Sequence, residues 1–200
     1  VEDDLAHKIT CESCHTDKPH QAAAKMNDHT DKVACQSCHI PAFARVNPTK
    51  MRWDWSKAGK MKDGKPYVEK GEFGRPRYVS KKGEFVWQKN VVPEYFWFNG
   101  SLKHLTLKDI IDPTQVVEIN RPEGSMGDPK SRIFPFKVHQ GTSPYDKVNK
   151  TLVIPHLFPK EKTDKAAYWK GFDWGKSIAY GMEYAGLEYS GEYDFVESIY

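Results

Sequence analysis

Apolar residues are sparse along this chain and fall in short clusters, seldom at a sustained period. The first 45 residues are mostly polar, with one run, Ala22, Ala23 and Ala24, that predicts a short helix over 21–26, since alanine enters a helix most easily. Asn27 and Asp28 end it. Further on, Gly59-Lys60, Gly64-Lys65 and Gly74-Arg75-Pro76 break the chain repeatedly, and seven prolines from Pro113 to Pro159 keep any helix short. Tyr67-Val68 and Phe85-Val86-Trp87 predict short strands, with Lys81-Lys82-Gly83 as a hairpin turn. Val116–Ile119, Arg132–Phe134 and Leu152–Ile154 read as extended pieces. Val91–Phe98 contains Pro93 and reads as an irregular packed segment rather than a central strand.

Trp169, Phe172, Trp174, Ile178, Met182 and Ala185 recur at near-helical spacing within 163–187. Gly171, Gly175, Gly181 and Gly186 weaken that pattern and predict a kink or two helices. Ser190 reads as the N-cap of a last helix that would stop after two turns, at Tyr200, as if the chain were cut there. The expected fold is mostly α and irregular: short helices, a loop-rich aromatic region with a few short strands, and a helical C-terminal part. The expected segments are 1–45, 46–162 and 163–200.

Composition sharpens this picture. Apolar residues make up 38% of the chain, below the globular norm, yet it carries ten Tyr, ten Phe and six Trp. Aliphatic material for a large core is short, so a bound apolar group would be a welcome packing partner for the rings. The net charge of +3 is near neutral and the lysines are scattered, which gives no case for a nucleic-acid partner. No run of eighteen apolar residues exists, so no membrane span is expected. The opening VEDDLAHK has no apolar signal-peptide region.

The chemistry concentrates between Cys11 and His39. Cys11, Cys14 and His15 form one C-x-x-C-H pentapeptide, and Cys35, Cys38 and His39 form another. This is the attachment signature of a c-type haem: two thiols add to the porphyrin vinyl groups, and the adjacent histidine lies under the iron as proximal ligand. All four cysteines of the chain are used. A zinc ribbon, serving as a stabilised binding module without redox role, shares the paired-cysteine spacing but has no use for a histidine after each second cysteine. With 8 histidines in 200 residues, both would fall there by chance in roughly 0.2% of random placements. Two disulfides would each have to close a strained loop. Two covalent haems c are therefore expected. Because such attachment occurs outside the cytoplasmic membrane, the chain is expected to be exported, periplasmic or extracellular, and to be a mature product or a fragment.

Longer strings carry a family resemblance. NDHTDKVACQSCHIPAFAR (27–45), WDWSKAG (53–59), KNVVPEYFWFNG (89–100), FPFKVH (134–139) and YSGEYDFVES (189–198) resemble the octahaem tetrathionate reductase family of periplasmic multihaem cytochromes. The resemblance implies further haems on chain beyond this sequence, and reduction of tetrathionate, nitrite or hydroxylamine at a lysine-ligated haem. Only two haem motifs are present and no C-x-x-C-K occurs, so the catalytic haem is expected elsewhere and both haems here read as electron carriers. Expected partners are other haem-carrying segments or subunits, and a redox partner cytochrome or quinol-oxidising system.

Six histidines remain for the sixth iron position. His20 is five residues from His15, about 17 Å at full extension, so it suits a neighbouring haem better than its own. His29 and His139 are the other favoured distal ligands; His7, His104 and His156 are further candidates, as are the thioethers of Met26 and Met51. Each can instead be an ordinary hydrogen-bonded side chain. Six such histidines exceed the needs of two haems, which also points to additional haems. Two imidazoles per iron would give low-spin, six-coordinate carriers.

Overall fold

A computed structural model describes residues 10–200; His7 lies outside them. The chain forms two compact units. One takes the chain up to Phe43 together with Val92–Leu102 and Pro122–Lys137; the other takes Ala44–Val91, Lys103–Arg121 and Val138–Tyr200.

In chain order, two single-turn helices come first, α1 (Glu12–His15) and α2 (Cys35–His39), separated by a 3₁₀ turn at Ala24–Asn27. That turn replaces the helix expected over 21–26. Strands follow: β1 (Thr49–Asp54), β2 (Met61–Lys62), β3 (Lys65–Pro66), β4 (Val68–Lys70), β5 (Pro76–Val79), β6 (Gly83–Gln88) and β7 (Glu94–Phe98). Then come β8 (Leu102–His104), β9 (Val117–Glu118), β10 (Asn120–Pro122), β11 (Arg132–Phe136), β12 (Gln140–Asp146) and β13 (Thr151–Leu152). Helices α3 (Tyr168–Gly171) and α4 (Trp174–Tyr184) precede the last strand, β14 (Tyr193–Ile199).

The expectation of a mostly α protein is wrong. Among the described residues helix accounts for 18% and strand for 31%, and the larger unit is built on an eight-stranded mixed sheet of order β4-β5-β6-β1-β12-β14-β9, with β13 on β12. The prolines do keep helices out of 113–159, as expected, but they do not keep strands out. Pro76 opens β5, Pro122 closes β10, and Pro144 lies beyond the last β12 residue paired with β1, Thr142. Pro93 sits just before β7, so Glu94–Phe98 is a strand after all, paired antiparallel with β11 in a two-stranded ribbon. The expected hairpin turn at Lys81–Gly83 does join β5 to β6, and Gly83 takes the required positive φ of 90°.

The largest misreading is the C-terminal segment. Residues 193–199 are not a helix start but a seven-residue strand, paired along its whole length with β12 from Gln140↔Ile199 to Asp146↔Tyr193. Ser190 caps no helix; its hydroxyl donates to Asp146 at 2.7 Å. Upstream, the helical pattern divides into α3 and α4 at Phe172, which turns left-handed (φ 54°), and Asp173 caps α4 by accepting from Lys176 N at 3.0 Å.

The aromatic middle forms its own packing instead of loops. Trp53 stacks on Trp55 with centroids 4.5 Å apart and meets Phe85 at 5.4 Å. One core gathers Val153, Tyr168, Trp174, Ile178 and Met182; another gathers Ile111, Val117, Tyr145 and Val196. Rings thus supply much of the burial that aliphatic side chains are too few to give.

Candidate functional site

The two cysteine–histidine motifs lie in the smaller unit, each wound into one helical turn. In the first, the His15 amide donates to the Cys11 carbonyl at 3.0 Å, and in the second the Ile40 amide donates to Gln36 at 2.9 Å. A helical turn puts positions i, i+3 and i+4 on one face, so each motif presents both thiols and its imidazole together. Arg132 on β11 donates to Glu12 at 2.8 Å and holds that carboxyl at about 2, below its ordinary value. The second turn is held by Ile133, whose carbonyl accepts from the Ala34 amide at 3.0 Å and the Ser37 hydroxyl at 2.7 Å.

Both motifs open on one cavity of about 460 Å³, lined by Cys11, His15, Pro19, His20, Cys35, Gln36, His39 and Ile40. Burial pushes the Cys35 thiol above its ordinary pKa, and the neighbouring Cys11 and Glu12 add to the rise. Cys14 and Cys38 are exposed, and none of the four cysteines is disulfide-bonded.

Across this cavity the His20 and His39 rings stand 6.1 Å apart, with planes only 7° from parallel. A metal–imidazole bond is about 2 Å. Adding the ring radii, two imidazoles on opposite sides of one metal ion have centres on the order of 6 Å apart. The donors in the lining suit an iron porphyrin: one thiol of each motif, Cys11 and Cys35, for a vinyl group, imidazoles for the metal, and apolar walls, with Cys14 and Cys38 outside the lining but one helical turn from their partners. Among the described residues, no group of three or more His, Cys, Asp or Glu side chains is placed to hold a single metal ion.

The remaining histidines are dispersed. His29, half-buried, lies outside the cavity lining, and its carbonyl accepts from Lys32 N at 2.9 Å and Val33 N at 2.8 Å. His104, exposed on β8, meets Asn120 Oδ1 at 2.6 Å. His139 has Nδ1 3.2 Å from the Lys50 carbonyl and its ring 5.8 Å from Tyr200. With Trp53, Trp55, Gly141, Ser143 and Tyr200 it lines a second, aromatic cavity of about 260 Å³. His156, partly buried, pairs with Asp164 at 2.7 Å and stacks on Tyr180 at 4.5 Å. Met26 lies in the 3₁₀ turn and Met51 in β1, neither lining the motif cavity.

One residue beside the cavity escaped the sequence. Asn27 is bonded three times to His20: its Oδ1 accepts from the His20 amide at 3.1 Å and lies 3.1 Å from Nδ1, and its Nδ2 donates to the His20 carbonyl at 3.3 Å. No periodicity links residues seven apart across a turn, so Asn27 reads from sequence only as a helix breaker.

Comparison with known proteins follows the same line. The sequence profile of the family described as "Cytochrome c bacterial" matches residues 50–200, a stretch with no cysteine, so this match is independent of the two motifs. Among solved structures, the chain is similar to the octaheme cytochrome c from Shewanella oneidensis, at 42% identity and a TM-score of 0.85. The similarity covers 96% of this chain and 43% of that one, so the chain spans less than half the length of that protein. No curated protein matches the chain.

Proposed function

The chain belongs to the bacterial cytochrome c family, among the multihaem c-type cytochromes, and from that premise we propose that it relays electrons through two covalent haems c within a periplasmic reductase of sulfur or nitrogen oxyanions. Cys11 and Cys14 hold one haem with His15 as proximal ligand; Cys35 and Cys38 hold the other with His39. The observation that carries this reading is the common cavity onto which both helical turns open. When bound, each haem supplies a reversible one-electron iron couple.

The chain's own residues hold, orient and shield. The Ile133 bonds to the second turn and the Arg132–Glu12 pair on the first fix both motifs against β11, so that thiols and imidazoles are preset. His20, which lines the motif cavity, would be the distal ligand of one iron here, and His29 and His139, outside that lining, would supply distal imidazoles to the remaining iron or to haems on other chain, His139 with the aromatic wall of its own cavity around it. His104 and His156 are held by Asn120 and Asp164 and act as structural hydrogen-bonding groups. Closing each iron with two imidazoles favours electron transfer over substrate binding. The electrons arrive from a redox partner cytochrome or a quinol-oxidising system and leave toward a catalytic haem on other chain. The likeness to part of an octahaem cytochrome supports that larger setting.

Intact mass and the pyridine haemochrome spectrum test the reading. Two thioether-bonded haems on these residues, both low-spin, are expected. A mass equal to the bare polypeptide, with four free thiols, refutes it.

A further inference from the structure

We propose that Asn27 is a positioning residue, which locks the His20 ring so that His20 and His39 form the axial pair of one iron, that of the haem held by Cys35 and Cys38. The inference rests on the reading above that this cysteine pair carries a haem and that His20 is an axial ligand.

The hydrogen bonds settle which His20 nitrogen is left for metal. The Asn27 amide cannot be turned over: its Oδ1 takes the His20 backbone N–H while its Nδ2 gives to the His20 carbonyl. The atom facing His20 Nδ1 is therefore a carbonyl oxygen, which only accepts, so Nδ1 carries the proton. Nε2 is then the nitrogen with the lone pair, the form a metal needs, and its partner N–H is anchored. The two backbone bonds add rigidity, since they tie main chain and ring of His20 to one side chain.

The turn explains how Asn27 arrives there. Residues 24–27 wind once as a 3₁₀ turn, and the Asn27 carbonyl accepts from the Thr30 hydroxyl at 3.1 Å, folding the segment back onto His20. The result is a ring 7° from parallel with His39 at 6.1 Å, both rings facing the cavity that Cys35 also lines. His20 and His15 are joined by too short a chain to flank a porphyrin comfortably, whereas His20 and His39 already stand at the required separation.

The test uses the haem-loaded protein and reads each haem's reduction potential and spin state. Asn27→Asp keeps an acceptor for Nδ1–H and for the backbone N–H but makes it charged, so it should push electron density onto the ring and favour ferric iron. A shift of about tenfold in the ferric–ferrous ratio, or 59 mV more negative for a one-electron couple, is expected at one haem only. Asn27→Leu removes the acceptor and should move the same haem the opposite way, with partial high-spin character. A purely structural clamp would not give shifts of opposite sign. His20→Ala separates the two levels of the argument and should convert one haem to a cyanide-binding, high-spin form. If it leaves both haems low-spin, His20 is not a ligand and the proposal falls with that assignment. If it opens one haem while both Asn27 variants keep wild-type potentials, the positioning role alone is refuted.

Discussion

Asp146 joins the central strand β12 to the segment that launches β14, and its removal should be felt across the sheet. Its side chain is fully buried yet holds five donors. Oδ1 accepts from Val148 N at 3.0 Å, Asn149 N at 2.9 Å and the Ser190 hydroxyl at 2.7 Å; Oδ2 accepts from Asn149 Nδ2 at 3.1 Å and Ser190 N at 2.7 Å. Burial alone would raise its pKa, but these donors outweigh it and hold the carboxyl below its ordinary value. At about 1.5 kcal/mol per bond to a charged acceptor, five bonds would sum to more than 7 kcal/mol. That is too much, because Val148, Asn149 and Ser190 are on exposed residues and water can replace part of each bond. Asp146→Ala should therefore cost about 3 kcal/mol, a fall in Tm of about 6–12 °C for a chain of this size. Asp146→Asn keeps the three Oδ1 bonds but turns an amide N–H₂ against two donors, and should cost about 1–2 kcal/mol. The folded pKa is depressed, so the carboxylate's contribution is complete above the unfolded value near 4 and is lost as pH falls below it. The gap between wild type and Asp146→Asn should close on acidification. Urea unfolding of the haem-loaded protein at pH 7 and pH 3, followed by tryptophan fluorescence, measures both effects. An Ala variant within about 0.5 kcal/mol of wild type at pH 7, or a gap that widens in acid, would refute the reasoning.

Two glycines of α4 should respond to the same substitution with opposite signs. At Gly175 a Cβ meets only ordinary contacts, the nearest Asp173 Oδ1 at 3.5 Å, so Gly175→Ala should stabilise by about 0.5–1 kcal/mol. At Gly181 it would lie 1.9 Å from the Ile154 carbonyl oxygen, so Gly181→Ala should destabilise by about 1–3 kcal/mol despite the better helix propensity; equal effects in thermal unfolding would contradict this packing. The His156 bond holds the Asp164 carboxyl at about 2, below its ordinary 3.8, so the pair supports the fold above about pH 4 and loses that support as pH falls toward 2. His156→Gln should speed amide exchange at Tyr168, whose N–H donates to the residue 156 carbonyl at 2.9 Å, and unchanged exchange would show that the pair does not fasten that loop.

The grouping of each cysteine pair with its histidine was legible in the sequence because it is local. Cys11, Cys14 and His15 meet on one helical turn whatever surrounds them, and so do Cys35, Cys38 and His39. The turn at Gly83 and the break near Phe172 were legible for the same reason, since each is decided within a few residues. The sheet was not. Residues 190–200 carry a serviceable helix signal, and only their partner, β12, about 55 residues earlier, makes them a strand: pairing Gln140 with Ile199 through Asp146 with Tyr193 satisfies backbone groups that a two-turn helix would leave open at its ends. The site shows the same division. Sequence supplied the thiols and imidazoles, but which histidine faces which depended on Asn27 folding back onto His20 and on β11 seating the second motif. Bonds within one turn follow from neighbouring residues, whereas pairing between distant segments follows from which surfaces the folded chain brings together.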